Sequence, residues 1–434
     1  CCRRCTRIRS SASRWENPLP RQPETMPFDD LRAFIAALRE RDDQRDVRGA
    51  DWDCELGTIA ELTYERGGPA LLFDDIAGHQ PGFRVLTNSL DTRQRALLAL
   101  GLPTDLDLDS ALQAYQARMR AYQPMPPVEV GSGPVFQNVL RDDQVDLLRF
   151  PSPRWHEFDG NRYLGTGCAV IMRDPDTGAV NLGCYRVAVH DRTTAGLYIS
   201  SSHAGVLIEQ KYWAAGRACP VAVSLGQEPL LFLAAAPYFG ENRAVPEYEM
   251  AGHMAGRPVE VVTDPSTGLP IPATAEIVIS GEVPPPNEEH RDEGPFGEWT
   301  GYCASETIPA PIIRVKAIYY RDDPIILGMP PFRFRGATTQ FGLPTQITNY
   351  REQLERAGVE DVLDVWTLAV PGVTVVQICQ RYAGHAMRAG LAAVSEYMGR
   401  FVIVVDEDIN PRDAQEVLWA IGTRCDPETT LSVV

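Results

Sequence analysis

Apolar side chains first recur with a helical period just after Phe28. Leu31, Phe34, Ile35 and Leu38 share one face, with Asp29 and Asp30 near the positive end of the dipole, so the spacing predicts an amphipathic helix. A second helical stretch runs from about Ile59 to Arg66, Gly67-Gly68-Pro69 breaks it, and Ala70–Phe73 reads as a short buried strand. Residues 26–122 are therefore expected to form an N-terminal α/β domain, closed by the proline-rich connector Gln123–Pro127. Beyond it the period drops towards two. Cys168–Met172, Tyr185–Val189, Leu197–Ser200, Val221–Ser224, Ala275–Ser280 and Ile312–Tyr319 are short, rich in Val, Ile, Leu and Tyr, and punctuated by Gly, Pro and Asp. Such spacing predicts an antiparallel sheet or barrel across a central domain at 128–322. Val373–Ile378 and Phe401–Val405 flank a helical segment, His385–Arg400, and a further helix is expected at Asp413–Thr423. That β-α-β-α order predicts a C-terminal α/β domain over 323–434. No internal repeat is visible.

Of the 434 residues, 44% are hydrophobic and 23% charged, a balance that folds rather than stays disordered. The net charge of -17 is uneven. Residues 1–25 hold six arginines against two glutamates, so they carry +4 and the remainder -21. A body this acidic has no general attraction for phosphate backbones, which argues against nucleic acid as a partner. No apolar run reaches the roughly 18 residues that a membrane helix needs, and residues 1–25 lack the apolar stretch of a secretory signal. The first methionine is Met26, so residues 1–25 are expected to be a disordered or non-native leader. A metal site at its Cys-Cys-Arg-Arg-Cys is the alternative. The other seven cysteines are scattered and lack Cys-x-x-Cys spacing, so reduced, buried thiols and a cytoplasmic location are expected. Lysine occurs only at Lys211 and Lys316, so arginine must serve any other cationic site.

Three clusters could carry chemistry. Glu293-Gly-Pro-Phe-Gly-Glu298 places two carboxylates on a Gly/Pro-rich loop, where repulsion and burial would raise one pKa into the range of a general acid; a solvated acidic turn is the alternative. Asn181-Leu-Gly-Cys-Tyr-Arg186, with His203 further on, offers Asn and His donors that together with a carboxylate would suit a divalent ion of the Mg/Mn type; a structural histidine is the alternative. In Pro246-Glu-Tyr-Glu-Met-Ala-Gly252 either Glu247 or Glu249 could face inward. Taken singly, none identifies an activity.

Their order along the chain does. Gly67-Gly-Pro-Ala-Leu-Leu-Phe73, Trp155-His-Glu157, Asn181–Arg186, Pro220-Val-Ala-Val223, Glu247–Gly252, Pro272–Ile277, Glu293–Glu298 and Phe401-Val-Ile-Val-Val-Asp406 succeed one another as in the UbiD family of decarboxylases, which the chain resembles from about residue 28 to its end. The resemblance implies an α/β and β multidomain fold: N-terminal α/β domain, central split-β-barrel-like flavin-binding domain and C-terminal α/β domain. It implies a non-oxidative, reversible decarboxylase of an aromatic, heteroaromatic or α,β-unsaturated carboxylic acid, working through a covalent prenylated-FMN adduct. A catalytically inactive flavin- or metal-binding homologue and a split-barrel FMN reductase are the alternatives. Loss of CO2 from an sp2 carbon leaves a localised carbanion, for which no amino-acid side chain offers an electron sink.

Position by position, the resemblance implies that Arg186 holds the substrate carboxylate, with Glu293 as its ion-pair partner and Glu298 as proton donor. It makes Asn181, His203 and Glu247 the ligands of Mn2+ at the cofactor phosphate, with K+ nearby, and Arg186, Ser202 and Arg381 further cofactor contacts. A flavin prenyltransferase of the UbiX type is implied as cofactor supplier, and a homodimer or higher homo-oligomer as the assembly. Three features depart from the family pattern. Ser200-Ser-Ser-His203 replaces a glycine and a basic residue before the histidine. Met387 stands where lysine is common, leaving Arg381 or Arg388 to compensate. The chain stops at Val434, where relatives continue with a pocket-lining segment and an assembly helix, so a C-terminal truncation is expected.

Overall fold

The computed structural model describes residues 28–201, 203–236, 245–303, 306–333, 343–368, 372–396 and 399–434. The expected leader and Ser202 lie outside them. The chain gathers into two compact units, one running to Leu106 and from Ala117 to Phe334, the other combining Asp107–Gln116 with Arg335–Val434.

In the first unit the amphipathic pattern becomes the helix Leu31–Glu40, which buries Leu31, Phe34, Ile35 and Leu38. Asp30 caps it by accepting a hydrogen bond from Ala33 N at 2.8 Å, a cap typically contributing about 1 kcal/mol. A four-stranded sheet follows, in the order Gln44–Arg48, Ala70–Asp74, Arg84–Thr87 and Ile325–Leu327. Its last strand comes from far along the chain and pairs parallel with Arg84–Thr87.

The central sheet has the order Arg162–Gly165, Arg186–Val189, Thr194–Tyr198, Ile312–Tyr320, Ile277–Val283, Cys219–Leu225, Ala169–Arg173 and Val180–Gly183, with Asn138–Arg141 paired beside Ile312–Tyr320. All of these pairs are antiparallel. Its curvature follows from connectivity. The first and seventh strands of that order are consecutive in the chain, joined from Gly165 to Ala169, a link that spans at most about 15 Å. Six strand spacings laid flat would separate them by about 29 Å. The sheet must therefore curl into an open half-barrel, as the central strand pattern anticipates. Its strands supply much of a large core that includes Tyr163, Val187, Val223, Ile279 and Ile318, with Trp155 packed among them.

In the second unit Val362–Thr367 pairs antiparallel with Val373–Ile378, which pairs parallel with Phe401–Val405. The parallel pair is bridged by the helix His385–Val394, a βαβ crossover. This helix stops short of the expected Arg400. Ser395 caps its end and turns its hydroxyl back onto the Ala392 carbonyl at 2.8 Å, a local bond that competes with helix continuation. The last helix, Ala414–Arg424, forms where expected, with Asp413 as its cap. Of the seven described cysteines only Cys168 and Cys219 are buried, so the expectation of uniformly buried thiols is too broad.

One buried ion pair ties the N-terminal helix to the half-barrel. Glu276, with a fully buried side chain, accepts from Arg32 Nε and Nη2, both at 2.8 Å, lies 3.2 Å from Arg321 Nη1, and receives Ile325 N at 3.2 Å. Glu276→Ala should deprive Arg32 of its carboxylate partner and Ile325 N of its acceptor, while Arg321 keeps Asp30 at 2.8 Å. A loss of about 3 kcal/mol is expected in urea unfolding, at the low end for breaking a buried pair because Arg32 keeps water contact.

Candidate active site

Arg186 opens the strand Arg186–Val189, and antiparallel register sets it opposite Tyr198, with Tyr163 opposite Ala188 on the other side. Three residues on neighbouring strands are thereby aimed at one place. The Arg186 guanidinium makes a two-point fork with Glu293, Nε to Oε1 and Nη2 to Oε2, both at 2.8 Å. Both side chains are nearly removed from water, at 8% and 1% exposure, a burial that only such close pairing tolerates. Tyr163 Oη donates a further hydrogen bond to Glu293 Oε1 at 3.0 Å. Burial, reinforced by the neighbouring Glu293, pushes the Tyr163 phenol far above its usual pKa, so it stays a donor.

Aromatic rings cover the guanidinium. Its Cζ lies 4.3 Å from the Tyr198 ring centre and 4.4 Å from that of Phe296, within range of cation–π attraction. Phe296 packs edge-on against Tyr163 at 4.5 Å. What remains is the Nη1 edge, where Glu298 Oε1 stands at 3.3 Å. Glu298 is the more exposed carboxylate, at 29% against 1% for Glu293. Burial raises its pKa above the ordinary carboxylate value; Arg186 pulls it down and Glu293 pushes it up again. A carboxyl group so placed can hold a proton for transfer, whereas Glu293 spends both oxygens on Arg186. The alternative of a solvated acidic turn is thus excluded for Glu293, which is buried and paired.

The loop carrying both carboxylates leaves the short strand Arg291–Glu293 and is pinned from outside. Gly294 N donates to Asn161 Oδ1 at 3.0 Å, and Pro295 O accepts from Gly160 N at 2.8 Å.

A second group of residues adjoins the first through Tyr185, the residue before Arg186. Tyr185 Oη accepts from Asn181 Nδ2 at 3.3 Å and from Gly205 N at 3.2 Å, and its ring meets the His203 imidazole edge-on at 5.5 Å. His203 occupies the cap position of the helix Ala204–Ala214, and burial lowers its pKa, favouring neutral imidazole. Glu247 lies in the first turn of the helix Glu247–Ala255 and accepts from Leu182 N at 3.0 Å. Burial pushes its carboxyl up to about 7. Of the two carboxylates left open in that segment, Glu247 therefore faces this group, whereas Glu249 receives the Tyr122 hydroxyl at 3.3 Å. Asn181, His203 and Glu247 thus share neighbours around residues 181–185. Their donors fit a divalent cation: an amide whose nitrogen is engaged by Tyr185, leaving its oxygen, a neutral imidazole, and a carboxylate whose desolvation a cation would offset. Among the described residues no three His, Cys, Asp or Glu side chains are grouped for a metal, so the asparagine is needed to complete a set.

Arg381 belongs to the second unit, where its guanidinium forks onto Asp361 at 2.5 and 2.7 Å and holds that carboxyl below its ordinary pKa. Arg388 donates to Ala357 O at 2.6 Å. Residue-by-residue reading missed Tyr163, Tyr185, Tyr198 and Phe296. Strand and loop aromatics pass as core, and only Phe296, set between the two glutamates, and Tyr185, beside Arg186, carried a local signal.

Comparison with known proteins identifies the family and the fold. The profiles of the 3-octaprenyl-4-hydroxybenzoate carboxy-lyase family match throughout: its N-terminal domain over residues 35–115, its Rift-related domain over 127–333 and its C-terminal domain over 339–434. The chain is similar to pyrrole-2-carboxylic acid decarboxylase of Pseudomonas aeruginosa, with 33% identity over 92% of this chain and 83% of that protein. It is also similar to phenolic acid decarboxylase of Bacillus subtilis, with 30% identity over 93% and 86%. Among solved structures, a dimeric evolved form of the UbiD-class enzyme HmfF from Pelotomaculum thermopropionicum, in complex with prFMN, superposes with a TM-score of 0.79 at 28% identity, over 93% of this chain and 91% of that one. The closed form of vanillic acid decarboxylase from Sedimentibacter hydroxybenzoicus gives 0.80 at 26%, over 93% and 86%. With all three regions matched in order and the half-barrel fold shared, the chain belongs to the UbiD family of carboxy-lyases.

Proposed function

We propose that this chain is a non-oxidative decarboxylase of aromatic, heteroaromatic or α,β-unsaturated carboxylic acids that uses prenylated FMN. The observation that carries the reading is the unequal pair of glutamates around Arg186. Glu293 is spent on fixing the guanidinium, and Glu298, raised by burial, is available to give a proton. When bound, the flavin supplies the electron sink that the departure of CO2 from an sp2 carbon requires. The Nη1 edge of Arg186 receives the substrate carboxylate, and the rings of Tyr198 and Phe296 restrict water around it. Glu298 then gives its proton to the carbon that loses CO2, so that a C–C bond is exchanged for a C–H bond, and solvent restores the proton.

Asn181, His203 and Glu247 would hold Mn2+ facing the cofactor phosphate, with K+ nearby on backbone oxygens; Ser202 and Arg381 are assigned as further cofactor contacts, Arg381 as a cation already paired with Asp361. We read 26–122, 128–322 and 323–434 as the three domains, the central one binding the flavin, with Ile325–Leu327 lent to the N-terminal sheet and Asp107–Gln116 to the second compact unit. No helix among the described residues is long and apolar enough to cross a membrane. A homodimer or higher homo-oligomer in the cytoplasm, supplied by a flavin prenyltransferase, completes the reading.

The decisive experiment is to co-express the chain with a flavin prenyltransferase and record the absorption spectrum and mass of the retained flavin. Prenylated FMN is expected; no flavin, or ordinary FMN alone, overturns the reading. Glu298→Gln should retain the flavin yet lose turnover by about 10²–10⁴-fold, measured as CO2 release. Because the proton donor must be protonated, kcat/KM should be highest at low pH and fall as pH rises through the raised pKa of Glu298, a limb that Glu298→Gln abolishes. Glu247→Gln should lower the Mn2+ retained per chain, as read by elemental analysis.

A further inference from the structure

The loop from Glu293 to Glu298 has almost no regular structure of its own, yet Glu298 must point its carboxyl to within a fraction of an ångström. One turn, residues 156–161, supplies three of the hydrogen bonds that hold it from outside. Asn161 holds Gly294 N, Gly160 N holds Pro295 O, and Asp159 Oδ1 accepts from Gly297 N at 2.9 Å, one residue before Glu298. The other oxygen of Asp159 accepts from His156 N at 3.0 Å, which closes the turn on itself. The Asp159 side chain is fully buried. Turn and loop are also in tight steric contact. A Cβ at Gly160 would stand 2.0 Å from Gly294 O, and one at Gly297 would stand 2.7 Å from Phe158 Cε2 and 2.8 Å from His156 Nδ1. Backbone at Glu298 is fixed on its far side by Glu298 N donating to Tyr302 O at 3.0 Å.

A buried carboxylate that spends one oxygen on its own turn and the other on the catalytic loop has the chemistry of a strut. Charge-assisted bonds from a carboxylate to backbone N–H are short and strong, and they fix a peptide plane rather than a side-chain rotamer. We propose that Asp159 is a positioning residue: through Gly297 N it sets the direction of Glu298 and so the efficiency of proton delivery, without touching substrate or the Arg186–Glu293 pair. The assignment rests on the decarboxylase reading for its catalytic consequence, and on the hydrogen bond alone for its structural one.

Asp159→Asn tests it, since a carboxamide offers one acceptor oxygen to two N–H donors and carries no charge. In the wild-type and variant holoenzymes, kcat is expected to fall about 10–100-fold with KM within about 2-fold, because misplacing a reacting group by about 1 Å costs that much while Arg186 still binds the acid. Solvent-deuterium exchange into the decarboxylated product should fall by the same factor. Gly297→Ala, which drives the loop off the turn with Asp159 intact, should reproduce the same split. Independently of turnover, hydrogen exchange in the apoprotein should show the Gly297 amide losing about 10-fold or more of its protection in Asp159→Asn. Undiminished kcat in a turning-over wild-type background, equal losses in kcat and acid binding, or unchanged exchange at Gly297 would each overturn the assignment. A wild-type holoenzyme without turnover would instead overturn the decarboxylase reading, leaving the exchange measurement to decide the strut.

Discussion

Everything around the candidate site answers to one constraint: a guanidinium has been taken out of water and must be compensated on every side. Arg186 meets a carboxylate on one edge and aromatic rings over its faces, and its partner Glu293 is steadied in turn by a tyrosine hydroxyl. Desolvating an ion pair this thoroughly costs more than an exposed pair returns, so the arrangement persists only where geometry is close to ideal. That need explains why the contributors sit on rigid strands. Arg186, Tyr198 and Tyr163 come from three adjacent strands of the half-barrel, and the register that sets Arg186 opposite Tyr198 also sets Ala188 opposite Tyr163. A slip of one residue would turn these side chains to the opposite face.

The same constraint separates two glutamates five residues apart. Chemically identical, they differ because the fork of Arg186 has a best edge, and Glu293 occupies it. Glu298 is left with a single longer contact and a partly desolvated environment, which favours its protonated form. The group around Tyr185 follows the same logic with the opposite sign. There a carboxylate, Glu247, is desolvated with no guanidinium in its hydrogen-bond set among the described residues, and burial raises its pKa to about 7.

Much of this architecture was legible in the chain, for identifiable reasons. The first helix shows because one clean apolar stripe faces a core, and the half-barrel strands show because β-branched runs end at Gly, Pro and Asp. The strand Thr194–Tyr198 begins earlier than the apolar run at Leu197–Ser200 suggests, because Thr194–Gly196 is held by its ladder to Ile312–Arg314, a partner more than a hundred residues away. Helix Leu343–Arg356 and strand Val362–Thr367 went unread, since the helix is mostly polar and the strand carries Asp364 in its middle, paired with Arg351 and Arg412. At the site, Arg186, Glu293 and Glu298 stood out through motif order. The aromatic enclosure did not, because a ring over a cation and a ring in a core have the same sequence signature.

The strand Ile325–Leu327 has a consequence for how the molecule is made. It completes the N-terminal sheet by pairing with Arg84–Thr87, and Arg84 reaches the Asp323 carbonyl across 239 residues of chain. During vectorial synthesis this sheet emerges before the half-barrel, yet its edge strand stays unpaired until the whole half-barrel has been translated. Arg32 likewise waits for Glu276, 244 residues later. Such long-range closure is slow and leaves a strand edge open to wrong partners in the interval, so the folding nucleus is better sought in the local hairpins of the half-barrel than at the amino terminus. A segment made before the half-barrel would then settle after it.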